Sequence, residues 1–135
     1  MISEKMKCIV YSIKKELDNK MRQYNLTAVQ FMILGYLYDN KDTEIIQKDI
    51  CNHLTLKHST VINILKRLEQ KGLIIKNTNR KAIISITDKG IKLLNTIGIK
   101  GGYVEEKLLE GITEKERKNL SIQLDKMYKN IKDNI

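Results

Sequence analysis

Between Leu56 and Gly90 the sequence LKHSTVINILKRLEQKGLIIKNTNRKAIISITDKG changes periodicity twice within 35 residues, which restricts the folds open to the chain. Val61, Ile64 or Leu65, and Leu68 recur at helical spacing, so one face turns inward while Lys57, His58, Thr60, Asn63, Lys66 and Arg67 fall on the outer face. Gly72 follows the last turn, where a left-handed residue ends a helix at least cost. Leu73-Ile74-Ile75 and Ala82-Ile83-Ile84-Ser85-Ile86 then read as two strands around the polar loop Asn77-Thr78-Asn79-Arg80-Lys81.

A helix running into a hairpin with a cationic tip predicts a winged helix-turn-helix, in which the helix enters a DNA major groove and the loop reaches along the backbone. Charge agrees with that reading. Residues 46–81 hold eight Lys or Arg against Asp49 and Glu69, a net +6 of the chain's +9, and cations in such density neutralise phosphates and release counterions. His58, Ser59, Thr60 and Asn63 bring short hydrogen-bonding groups to the start of the helix, and Ile62 suits a thymine methyl. Arg80, at the wing tip, suits a phosphate or a narrow minor groove.

The flanking segments read as helices. Met6, Ile9, Val10, Ile13, Leu17 and Met21 form an amphipathic stripe, and Thr27 with Gln30 spells a capping box that opens a second helix to about Tyr38, with Leu26 and Phe31 spaced as a staple. Ile45 and Ile46 predict a short edge strand before a brief helix ending near Leu54, and Thr55 to His58 a tight connection in which Leu56 turns to the core. Thr87-Asp88 starts a helix through Ile91, Leu94 and Ile97 that is expected to break at Gly98, Gly101 and Gly102, since each glycine costs a helix about 1 kcal/mol. Thr113 with Glu116 caps a last helix carrying Leu120, Leu124, Met127 and Ile131.

With 135 residues and 41% hydrophobic content, the expectation is a single domain over residues 1–135, mainly α with a small β-wing. It comprises a winged-helix reader at about 27–89 and helices at about 1–24 and 90–135 that pair two copies. No run of about 18 apolar residues appears and the N-terminus has no signal-peptide pattern, which predicts a cytoplasmic protein without membrane contact. Cys8 and Cys51 lack CxxC spacing and read as small buried hydrophobes; His53 and His58 stand apart, so neither metal nor cofactor is expected. A Gly-rich phosphate loop, an HExxH and a nucleophile motif are all missing, which speaks against an enzyme. A winged fold reused as a protein-docking module is the alternative to a DNA reader.

The layout resembles the MarR-type (multiple-antibiotic-resistance regulator) transcription factors. Leu26-Thr27 with Gln30, His58-Ser59-Thr60-Val61, Arg67-Leu68-Glu69, Lys71-Gly72-Leu73-Ile74, Ile86-Thr87 with Gly90, and Gly111-Ile112-Thr113-Glu114-Lys115-Glu116 carry the resemblance in order. It implies a homodimeric regulator, a repressor, on a pseudo-palindromic duplex. The recognition helix would use Lys57, His58, Ser59, Thr60, Asn63, Lys66 and Arg67, and the wing Asn77, Asn79, Arg80 and Lys81. It also implies a small-molecule effector in a cleft whose candidate lining residues are Tyr11, Tyr24, Met32, Tyr36 and Tyr103. One departure stands in the wing, where Thr78 occupies the place of the acidic residue that usually braces the arginine.

Overall fold

The computed structural model describes residues 1–79, 81–98 and 103–134, which form two compact units, Met1–Gly101 and Gly102–Ile135. In chain order the first holds α1 (Ile2–Met21), a 3-10 turn (Arg22–Tyr24), α2 (Ala28–Asp39), α3 (Gln47–Leu54), α4 (His58–Gln70), β1 (Ile74–Lys76), β2 (Ile84–Ile86) and α5 (Asp88–Ile97). The second holds α6 (Tyr103–Leu108) and α7 (Glu114–Asn134).

Local chemistry accounts for most boundaries. Thr27 Oγ1 accepts from Gln30 N and Gln30 Oε1 from Thr27 N, so the predicted capping box opens α2, and Asp18 adds a carboxylate acceptor for Ala28 N at 2.6 Å. Thr87 Oγ1 accepts from Gly90 N at the start of α5, and Gly98 ends that helix in the left-handed conformation at φ 69°. The expected break thus begins at Gly98; Gly101 and Gly102 lie outside the described residues.

The core of the first unit forms where α2, α4 and the hairpin meet. Ile33, Leu34 and Leu37 from α2, Val61, Leu65 and Leu68 from α4, Leu73, Ile74 and Ile84 from the hairpin, and Ile50 from α3 are all buried. β1 and β2 pair antiparallel with Ile74 opposite Ile86 and Lys76 opposite Ile84. Gly90 lies so close to this hairpin that an added Cβ would stand 2.5 Å from Leu73 O and 2.7 Å from Ile86 Cγ1.

Two expectations are corrected. Ile45 and Ile46 form no strand: Ile45 O takes a single bond from Ile84 N at 2.8 Å, and Ile46 N donates to the Asp49 carboxylate, which turns the chain into α3. Cys8 is exposed, because the N-terminal half of α1 extends past the core and the first buried residues of that helix are Leu17 and Met21. Cys51 is buried as expected. Among the described residues, no helix is long and apolar enough to cross a membrane.

In the second unit, Thr113 and Glu116 form the predicted cap: Thr113 N donates to Glu116 Oε1 at 3.1 Å, and Glu116 N donates to Thr113 Oγ1 at 3.2 Å. The Thr113 amide, and then the Thr113 hydroxyl, which donates to the same Oε1 at 2.9 Å, hold the Glu116 carboxyl below its usual range. Arg117 donates to the carbonyls of Ile112 and Leu109, tying the end of α6 to the start of α7. Leu120, Ile122, Leu124, Tyr128 and Ile131 are nevertheless exposed along α7.

Candidate nucleic-acid interface

α4 packs against α3 on one side and β1 on the other. The turn between α3 and α4 is made by Thr55, left-handed at φ 53°, after which Leu56 N bonds back to Cys51 O at 3.1 Å and Leu56 packs on the core. A β-branched residue is unusual in this region of backbone space, so the turn is set against local preference. At its far end α4 closes through Gly72, left-handed at φ 73°: Gly72 N donates to Glu69 O and Leu73 N to Leu68 O, a Schellman motif.

With both ends held and Val61, Leu65 and Leu68 buried, the other face of α4 is presented outward. His58, Ser59, Thr60, Asn63, Lys66 and Arg67 are exposed on it, as is Lys57 just before it, and Ile62 is 39% exposed among them. The side chains of Lys57, Lys66 and Arg67 make no hydrogen bond or ion pair with another described residue. The predicted reader residues therefore share one polar, cationic face.

Two lysines counted in the basic segment are already engaged. Lys71 Nζ donates to Asn25 O and to Gln30 Oε1, joining the end of α4 to the turn before α2. Burial, and then the Arg67 charge, lower its pKa. Lys81, in the wing, pairs with Glu44 at 3.0 Å, an exposed bridge from the loop before α3. Glu44 went unnoticed in the sequence because 37 residues separate the partners.

The wing loop spans residues 77–83. Asn77 N donates to Ile83 O at 2.8 Å, and Asn77 Oδ1 accepts from Asn79 N at 3.0 Å, so the Asn77 side chain shapes the loop. Asn77, Thr78, Asn79 and Lys81 are exposed. Arg80 lies outside the described residues. β2 is shorter than the run 82–86, and β1 is shifted one residue from the run 73–75.

The candidate cleft residues divide between the units. Tyr24 and Tyr36 pack against the core, Tyr36 stacking on His53 with ring centroids 4.2 Å apart; Met32 is half-buried and Tyr11 is 65% exposed. Tyr103 belongs to α6 in the second unit. The two histidines, apart in sequence, both have close neighbours: His53 has Tyr36, and His58 has Gln47 and Cys51.

A family model for the SarA/Rot transcriptional regulators matches residues 13–97, a stretch that runs from α1 through the wing to the end of α5. The chain belongs to this family of MarR-type regulators. It is 30% identical to the HTH-type transcriptional regulator PecS of Dickeya dadantii over 127 residues, 90% of this chain and 76% of PecS. Among solved structures it resembles the Staphylococcus aureus MepR–DNA complex at TM-score 0.87 and 29% identity, covering 97% of this chain and 96% of that one. A MarR family regulator from Listeria monocytogenes, solved with a 26mer DNA, gives TM-score 0.82 at 28% identity over 99% of this chain and 91% of that one.

Proposed function

We propose that this SarA/Rot family regulator acts as a homodimeric repressor that reads a pseudo-palindromic DNA duplex through α4 and grips the flanking backbone with its wing. The observation that carries this reading is the outer face of α4, where hydrogen-bonding side chains and cations unpaired among the described residues stand together over a buried apolar face. The Staphylococcus and Listeria relatives were both solved with DNA. Asn63 and Arg67 have the chemistry for base edges, Lys57, Lys66 and Lys81 that for phosphates, and Arg80 that for a narrow minor groove. Lys81 must exchange Glu44 for a phosphate to take part.

Pairing of two copies is supported by the apolar side chains exposed on α1 (Ile2, Met6, Ile9 and Val10) and on α7, since faces of this kind are stable when covered. A planar aromatic effector that releases DNA fits the half-buried Tyr24, Met32 and Tyr36. Tyr11, exposed on α1, is proposed to close its site.

The decisive experiment is selection of bound duplexes from a random pool at two salt concentrations, with the wild type and two variants. Asn63→Ala should broaden the recovered sequence, whereas Lys66→Ala should weaken all duplexes alike and reduce the salt slope by about 1. Recovery of no consensus, or of one without two-fold symmetry, overturns the reading.

A further inference from the structure

His58 opens α4 as an exposed residue, yet its ring is held from the α3 side. Nδ1 stands 3.2 Å from Nε2 of Gln47 and 3.5 Å from Sγ of Cys51. Both partners belong to α3, and Cys51 is buried in the core. An amide nitrogen is a donor only, whereas a cysteine sulfur can donate or accept weakly. Facing the Gln47 amide donor, Nδ1 must offer its lone pair, which places the ring proton on Nε2, and the Cys51 S–H suits the same tautomer as a weak second donor. In an imidazole Nε2 lies across the ring from Nδ1, and His58 is an exposed residue.

We propose, building on the DNA-reading function above, that Gln47 and Cys51 fix His58 as an Nε2–H donor and that this donor recognises a hydrogen-bond acceptor on the duplex, a purine N7 or a phosphate oxygen. Gln47 and Cys51 are positioning residues, acting through His58. An unrestrained imidazole can donate or accept from the same edge and so cannot tell an acceptor from a donor. Fixed in one tautomer, it accepts partners such as guanine or adenine N7 and rejects the amino groups of adenine and cytosine. The turn at Thr55 is what brings this about, because it carries the first residue of the reader back over α3.

The lock and the contact are tested separately on the full chain. A two-bond proton–nitrogen spectrum, with the His58 signals assigned by their loss in His58→Gln, should show the proton on Nε2, and Gln47→Leu should move the signals toward a mixture of tautomers. A duplex recovered by selection is then altered one group at a time, with 7-deaza analogues for purines and methylphosphonates for phosphates. One alteration in each half-site should weaken the wild type by about 2- to 10-fold, the range of a single neutral hydrogen bond. It should leave His58→Ala no weaker than before, and the class of alteration that does so identifies the acceptor as base or backbone. His58→Gln, which keeps an amide donor near the Nε2 position, should retain part of the sensitivity. A proton on Nδ1 overturns the proposal, as does selective duplex binding in which no alteration couples to His58; in both cases the DNA-reading function stands. Failure to bind any duplex overturns both.

Discussion

α4 and α7 carry the same kind of apolar repeat and meet opposite fates. Val61, Leu65 and Leu68 of α4 are buried against α2, α3 and the hairpin, whereas Leu120, Leu124 and Ile131 of α7 are exposed and Met127 is half-buried. A helical stripe therefore says that a face wants covering without saying by what. In the first unit the covering elements lie within a few dozen residues on either side in the same chain; along α7 the stripe is left for another surface, which is why a second copy is proposed there.

The sharpest way to break this comparison is to truncate one residue on each side of it. Leu34→Ala, at a fully buried site, should lower unfolding free energy by about 2–5 kcal/mol in denaturant titrations at any protein concentration. Leu124→Ala should act through assembly, making the melting temperature fall on dilution more steeply than in the wild type. Equal, concentration-independent losses would erase the distinction drawn here. Gly90→Ala comes next, at about 1–3 kcal/mol, because its new methyl meets the Leu73 carbonyl, and backbone cannot swing aside as a side-chain end can. Calorimetry gives the answer directly.

Lysines on α4 and at its end allow a finer contrast. Lys71→Met should cost about 1–2 kcal/mol of stability by removing the bonds to Asn25 and Gln30, with the salt slope of duplex binding unchanged. Lys66→Met should do the reverse. The lowered pKa of Lys71 also has a sign: the folded chain binds its proton less tightly than the unfolded one, so its contribution to stability rises as pH climbs through the folded value.

The smallest effect is expected at the start of α7. Thr113→Ala should cost that helix an amount at the low end of about 0.5–2 kcal/mol, visible as faster amide exchange in its first turn. Glu116 gives the pH counterpart. Its depressed pKa means that its contribution is present above the unfolded carboxylate value and disappears as pH falls through the folded one, so acid should fray α7 at its start and an exchange rate flat with pH would contradict the cap.

Features that depend on residues three or four apart could be read without coordinates. Both capping boxes, the glycine exit from α4, the two faces of that helix and the hairpin after it are of this kind, since capping and amphipathicity are decided within a turn or two of chain. Ile45 and Ile46 misled the reading because β propensity is weak beside a neighbouring carboxylate that starts a helix. Cys8 misled it because a stripe does not reveal where the core stops.

From the sequence alone came the order of the elements, the outward chemistry of α4 and the concentration of positive charge around it, because each is written in local spacing and composition. Tertiary structure alone decided which of those cations are spoken for and how the first histidine of the reader is held. Lys71 meets Gln30 from 41 residues away and Lys81 meets Glu44 from 37, while His58 meets Gln47 across the turn at Thr55. Such partners are set by how helices pack, and packing is a property of the whole core that no short stretch of chain contains.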